Sequence, residues 1–269
     1  MPVDGARPAS LVERFSTAGP GRSVERATIV EAPIAIEING LAYAVMMATP
    51  ADLDDFALGF CLSEQLIAVP TQFEGCEASE LERGWLLRIT LAGDCAAPLV
   101  ERARLRLTEG SCGLCGIESL DQVLRPLPSV TATIDITDRA IFAAGAALRE
   151  RQPLGRATGA AHAAAFCRAD GTILTVREDV GRHNAFDKLI GALARAGLSP
   201  TDGFVLLSAR CSFELVQKAV LAGVPLLATV SAASTLALEA AQAHGLRLVS
   251  LLRNDSFLDQ AAGFTAASR

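Results

Sequence analysis

Apolar residues alternate with smaller or polar ones at Ile34, Ile36 and Ile38, and Asn39-Gly40 then supplies hairpin-turn chemistry before a second run over residues 43–47. The rhythm changes at Thr49-Pro50, where Leu53, Phe56, Ala57 and Phe60 recur at helical spacing. Asp52, Asp54 and Asp55 crowd the first turns of that helix, near the positive end of its dipole. Residues 85–91 read as another strand and residues 97–107 as a short helix. Two prolines in Arg125-Pro126-Leu127-Pro128 interrupt any helix, so a first α+β lobe is expected over residues 24–128.

The second half has a different period. Ile141, Phe142 and Leu148 belong to a helix capped by Thr137 or Asp138. Strands over 163–168 and 172–176 flank Ala169-Asp170-Gly171, a hairpin signal. A helix follows over 184–196, with Phe186, Leu189, Ile190 and Leu193 on one face, Asn184 and Asp187 at capping-box spacing, and Gly197 where a left-handed cap is wanted. Strands over 204–207, 226–230 and 246–252 then alternate with helices over 212–221 and 234–243. This alternation predicts a largely parallel sheet covered by helices over residues 129–258. Residues 1–23 are expected to be a disordered leader and 259–269 a tail.

Between Lys218 and Glu239 the chain carries no charge, but Gly223, Pro225, Thr229, Ser231, Ser234 and Thr235 break that run. It reads as helix end, buried strand, turn and helix start, not as a membrane span. The leader has no apolar signal core, which points to a cytoplasmic protein without a membrane anchor.

Composition sharpens this picture in two places. With 269 residues, 51% of them hydrophobic and 20% charged, the chain is globular and long enough for two lobes. A net charge of −6 argues against sequence-independent binding of a nucleic-acid polymer, while leaving room for one nucleotide in a local basic pocket. Seven cysteines in a chain of this length do not make a disulfide scaffold. Cys61, Cys76, Cys95, Cys167 and Cys211 are scattered and expected to be small buried hydrophobes.

The remaining two stand apart. Gly110-Ser111-Cys112-Gly113-Leu114-Cys115-Gly116 sets two thiols in a loop of small residues, and no second ligand pair lies nearby. Such a segment suits a sulfur-handling arm better than half of a zinc site. Elsewhere, polar residues gather after strand ends: Arg177, Glu178, Asp179, Arg182 and His183; Arg210 and Ser212; Ser231, Ser234 and Thr235; and Arg253, Asn254 and Asp255. Open α/β sheets bind ligands outside the carboxyl ends of their strands, and helix N-termini there offer free N–H groups to phosphate. Four such loops facing one way would form a crevice with cations for phosphates and carboxylates or amides for a base or sugar. For His183 and His162, structural and chemical roles both stay open.

In order along the chain stand Glu31-Ala32-Pro33, Asn39-Gly40, Met46-Met47-Ala48-Thr49-Pro50, Phe56-Ala57-Leu58-Gly59-Phe60 and Cys112-Gly113-Leu114-Cys115-Gly116. Then come Thr158-Gly159 with His162, Glu178-Asp179-Val180-Gly181-Arg182-His183-Asn184, Ser208-Ala209-Arg210, Val216-Gln217-Lys218 and Val230-Ser231-Ala232-Ala233-Ser234-Thr235-Leu236-Ala237. This ordered set resembles the FdhD family of formate dehydrogenase accessory sulfurtransferases. The resemblance implies an α/β fold with a cytidine-deaminase-like C-terminal lobe, a smaller α+β N-terminal lobe and a homodimer. It implies persulfide transfer from a cysteine desulfurase to the molybdenum (or tungsten) bis-guanine-dinucleotide cofactor of formate dehydrogenase, with a GDP-like guanine nucleotide as mimic.

Carried over by position, Cys112 is the persulfide cysteine and Cys115 its partner. Leu251, Leu252, Arg253, Asn254, Asp255 and Ser256 match a cofactor-binding stretch, joined by Asp179, Arg182, His183, Arg210 and Ser231 in the crevice. The stretch lacks the family's aromatic and glycine pattern, and Phe257 is the ring expected to stack in its place. Two other readings are a non-catalytic chaperone for a guanine nucleotide or molybdenum cofactor, and a zinc-binding adaptor. Zinc deaminase chemistry is not supported, because His162 is followed by Ala163-Ala164 and the C-x-x-C pair precedes it.

Overall fold

The computed structural model describes residues 3–14, 21–95 and 126–260. The chain opens with a two-stranded antiparallel hairpin, β1 (Ala6–Glu13) and β2 (Arg22–Ile29), where a disordered leader was expected. Its register runs unbroken from Ala6 opposite Ile29 to Glu13 opposite Arg22, closed by an Arg22–Glu13 ion pair at 2.7 Å. Polar side chains and Pro8 hid it from the hydrophobic pattern. Both strands are sheet edges, where proline is tolerated.

β3 (Ala32–Ile38), β4 (Leu41–Ala48), β5 (Phe73–Leu81) and β6 (Gly84–Leu91) form a four-stranded sheet in the order β4-β3-β6-β5. Asn39 and Gly40 both adopt positive φ, 49° and 80°, as the tight turn from β3 to β4 requires. Ile34, Ile36 and Ile38 face inward against Leu87, Ile89 and Leu91 and against Phe56 and Phe60 of α1 (Leu53–Ser63). The helix begins three residues beyond Pro50, entered through Asp52 in a left-handed conformation.

The second lobe is a six-stranded sheet in the order β12-β11-β10-β9-β7-β8. After α2 (Asp138–Leu148) and α3 (Pro153–Thr158) come β7 (His162–Arg168), β8 (Ile173–Asp179), α4 (Arg182–Ala196) and β9 (Gly203–Leu207). Then follow α5 (Phe213–Leu221), β10 (Leu226–Thr229), α6 (Thr235–Ala243), β11 (Arg247–Ser250) and the short β12 (Leu258–Asp259). The uncharged run thus divides into helix end, buried strand and helix start as predicted, and no described helix is long and apolar enough to cross a membrane.

The sheet is less parallel than predicted. Only β9, β10 and β11 pair in parallel: the short turn between β7 and β8 leaves no length for a crossover and forces antiparallel pairing there, and β7 lies antiparallel to β9 as well. Alternation along the strands serves two cores. Ala164, Phe166, Val205 and Leu207 face the helices α4, α5 and α6, while Ala163, Ala165, Phe204 and Leu206 face α2. Thr137 caps α2 by accepting from Ala140 N, and Gly197 ends α4 at φ 65°.

The lobes meet where α1 crosses α4. A Cβ on Gly59 would lie 1.7 Å from Asp187 O, and one on Gly191 only 1.9 Å from Asp55 O. Beside this crossing the buried Asp55 accepts from Arg177 of β8 at 2.7 Å and from Arg195 of α4 at 2.8 Å.

Candidate functional site

Topology decides which loops share an edge. β8 is antiparallel to β7, and β7 is antiparallel to β9, so β8 runs with β9, β10 and β11. The carboxyl ends of these four strands and the start of β7 at His162 therefore lie along one side of the sheet. That is where the sequence gathers its polar clusters, and where α/β sheets bind ligands. The loops are laced together by backbone hydrogen bonds. Cys211 N donates to Ala232 O at 3.0 Å, Ser231 N to Ala209 O at 3.4 Å, and Leu251 N to Ser231 O at 3.2 Å.

Along this edge Arg210 is exposed and makes no hydrogen bond or ion pair with any described residue. Arg182, at the first turn of α4, has a buried Nε without a hydrogen-bond partner among the described residues. His183 follows it, with Nε2 3.4 Å from Ser212 Oγ and 3.9 Å from Glu214 Oε2. Burial, then the cations of Arg182 and Lys218, push the His183 imidazole down to about 4, so it is neutral near pH 7. His162 is also lowered, by burial and by Arg182 and Arg210, against the pull of Asp179. The edge therefore carries two guanidinium groups with spare donors and two imidazoles disposed to be neutral, a set suited to anionic oxygens.

Other predicted residues sit differently. Asp179 is completely buried and does not face the edge; its carboxylate accepts from Thr49 N, Gly181 N, Asn184 Nδ2 and Lys188 Nζ at 3.0, 2.7, 3.0 and 2.6 Å. With its acceptor positions used inside the protein, it is not available to a ligand. Asn184 lies inside α4, which starts two residues earlier than the spacing predicted, so its supposed capping box with Asp187 does not form. Asp187 pairs with Lys218 at 2.6 Å, both buried.

In the last stretch Leu251 adopts positive φ (51°), turning the chain at the end of β11. Leu252 points into the core, where its Cδ2 would lie 2.9 Å from a Cβ on Gly145. Arg253 folds back, its guanidinium donating to Val230 O and to Leu252 O while its N–H meets Ser256 O at 2.8 Å. Asn254, Asp255 and Ser256 are left exposed at the tip, with Ser256 Oγ on Asp255 Oδ1 at 3.1 Å. Ser231 is half-buried. Phe257, expected to stack on a base, packs instead against Phe142 of α2 at a centroid distance of 5.0 Å.

Cys61, Cys95, Cys167 and Cys211 are buried as expected and Cys76 is half-buried; all five are free thiols. Burial raises Cys76, Cys167 and Cys211 to about 12, and Cys61 further still, so none of these four is a thiolate near neutrality. Cys112 and Cys115 lie outside the described residues. Sequence reasoning missed Glu214 beside His183 and the role of Lys188. A charged pair, Asp187-Lys188, inside an apolar helical stripe was the available signal, since buried charges must find partners.

The FdhD/NarQ family model matches residues 29–259. The chain is 47% identical over 229 residues to the sulfur carrier protein FdhD of Variovorax paradoxus, covering 85% of this chain and 82% of that one. It is 45% identical to that of Bordetella petrii, covering 83% and 81%, and 43% identical to that of Xanthomonas campestris pv. campestris, covering 94% and 91%. Among solved structures, one assigned as a formate dehydrogenase accessory protein of Desulfotalea psychrophila superposes with a TM-score of 0.75 at 20% identity, covering 95% of this chain and 96% of that one.

Proposed function

The chain belongs to the FdhD/NarQ family, and on that premise we propose that it is a sulfur carrier serving formate dehydrogenase, loaded as a persulfide on Cys112. The observation that carries this reading is the similarity to proteins named sulfur carrier protein FdhD across more than four fifths of the chain. The donor is a cysteine desulfurase, and the acceptor is the molybdenum (or tungsten) bis-guanine-dinucleotide cofactor, bound as substrate. A homodimer is the assembly proposed.

Thiol chemistry supports the choice of cysteines. The four described thiols with resolved shifts are all raised by burial, which disqualifies them as nucleophiles at neutral pH. The Cys112 thiolate would attack the terminal sulfur of the donor's persulfide. A new S–S bond forms as the donor's S–S bond breaks, and the donor cysteine leaves as thiolate, so no outside oxidant is needed. Cys115 then has one defined use: attack on the inner sulfur of the Cys112 persulfide releases hydrosulfide and leaves a disulfide, which a small thiol reductant resets.

The strand-end edge supports the second half of the reading. Arg182 and Arg210 offer donors to the phosphates of a guanine nucleotide, and the exposed tip at Asn254, Asp255 and Ser256 offers amide, carboxylate and hydroxyl groups to its base. Leu251, Leu252 and Arg253 shape that tip through backbone conformation and packing. Asp179 is not part of the direct contact set.

The test is incubation with a cysteine desulfurase and cysteine, followed by mass spectrometry. A +32 Da adduct on Cys112, lost in Cys112→Ala together with formate dehydrogenase activation, is the expected result. Stoichiometric zinc without the adduct would favour an adaptor. Nucleotide binding without either would leave a non-catalytic cofactor chaperone.

A further inference from the structure

Thr49 belongs to the first lobe, at the end of the strand that precedes α1, and it is completely buried. Every polar atom it has is used across the lobe junction. Its N–H donates to Asp179 Oδ2 at 3.0 Å, its carbonyl accepts from Lys188 Nζ at 2.9 Å, and its hydroxyl oxygen accepts from Val180 N at 3.1 Å. Nearby, Asn184 Nδ2 reaches Met47 O at 2.9 Å, fixing a second point of the same junction.

Two of Thr49's bonds, to Asp179 and Val180, meet one short turn, while Lys188 and Asn184 tie the following helix to the same strand end. Val180 N is held by Thr49 and Gly181 N by Asp179 Oδ1 at 2.7 Å, and Arg182 and His183 come next. Gly181 is the N-cap of α4, extended at φ −100° and ψ 125°, and no side chain caps the helix there. Glycine by itself leaves that entry free to take many conformations. The direction in which α4 launches Arg182 and His183 toward the strand-end edge is therefore set from outside the helix.

We propose that Thr49 is a positioning residue: with Asp179 it holds the turn that aims Arg182 and His183 at the edge, coupling the first lobe to the ligand crevice of the second. It touches no ligand itself. The coupling makes the edge sensitive to a residue that is remote from it in sequence and buried beneath it. The part concerning nucleotide rests on the function proposed above; the part concerning the turn does not.

Two readouts keep these parts separable. The chain has three histidines, so the imidazole titrations of the full-length protein can be assigned by NMR. His183 reports on the turn because its titration is set first by its burial and then by Arg182, Lys218, Glu214 and His162 around it. Thr49→Val preserves shape and removes the acceptor for Val180 N. It is expected to move the His183 titration toward the ordinary histidine range and to weaken GDP binding about tenfold, the worth of one buried hydrogen bond. Thr49→Ser, which keeps the hydroxyl, should restore both. Thr49→Ala carries the same test should the valine variant fail to fold.

A Thr49→Val protein with an unchanged His183 titration, whatever its melting temperature, would overturn the proposal. If unaltered protein binds no GDP, the nucleotide reading falls, and the imidazole titration alone decides the positioning role.

Discussion

Gly59 and Gly191 let α1 and α4 cross with their backbones in contact: a Cβ on Gly59 would stand 2.8 Å from Gly191 N, and one on Gly191 2.9 Å from Gly59 N. Neither glycine needs unusual backbone angles, so the requirement is one of space alone.

Gly59→Ala must therefore push the helices apart, since the nearest atoms belong to backbone and cannot rotate away. Overpacking of this kind costs about 1–3 kcal/mol or more. The expected result is a clear fall in melting temperature for Gly59→Ala and for Gly191→Ala. Gly93→Ala, with no heavy atom of the described residues within 4 Å of its new Cβ, should be nearly silent. Equal melting temperatures for all three would show that the helices are not in contact.

A second expectation concerns the buried pair Asp179–Lys188, at 2.6 Å and with both side chains fully shielded. Removing one partner of a buried ion pair costs about 3–5 kcal/mol, because the other charge is left without compensation. Lys188→Met should strand the Asp179 carboxylate and lower the urea midpoint strongly. The double variant Asp179→Asn, Lys188→Met should recover part of that loss. A double variant as unstable as the sum of the singles would deny the coupling.

The contrast between these two junctions and the surface shows what could be read from the chain alone. Strands β3 and β4 were legible because Ile34, Ile36 and Ile38 face a core while Asn39-Gly40 supplies the turn. Strand β5 was not, because it is a sheet edge whose residues from Glu77 to Leu81 are exposed, and its sequence alternates nothing. The polar clusters correctly marked an edge, but composition carries no direction. Asp179 and Leu252 turn inward while Arg210 and Asn254 turn outward, and only the packing of α4 and α2 separates them. Phe257 shows the same limit, since a ring placed near a crevice in sequence is spent on Phe142.

The depressed His183 imidazole gives a pH dependence with a definite sign. Its folded value, about 4, lies below the ordinary 6.5, so between these values the unfolded chain binds more protons than the folded one. Its contribution to stability is fully present above pH 6.5 and is lost as pH falls toward 4. Denaturation midpoints measured across this window should decline with acidification, and His183→Gln should flatten part of that slope. An unaltered slope in the variant would mean that the imidazole protonates in the folded state as readily as in the unfolded chain.

Thiol reactivity distinguishes cysteines that pack from cysteines that could carry sulfur. Cys61, Cys167 and Cys211 are buried, and each is raised by desolvation, so at pH 7.5 they present neither access nor thiolate to an alkylating agent. Iodoacetamide under native conditions should leave these three unmodified over a period in which a thiol of ordinary acidity reacts to completion. In guanidinium all seven cysteines of the chain should be alkylated. Cys76 is the sharper test, because it is only half-buried yet raised to about 12, first by burial and then by the Asp54 carboxylate 3.5 Å from its sulfur. Asp54→Asn would remove that charge and should speed Cys76 alkylation, while leaving Cys167 unchanged. Rapid native labelling of Cys167 or Cys211 would instead mean that the second lobe opens far more readily than its cores imply, and the assignment of nucleophilic chemistry away from these thiols would fail with it.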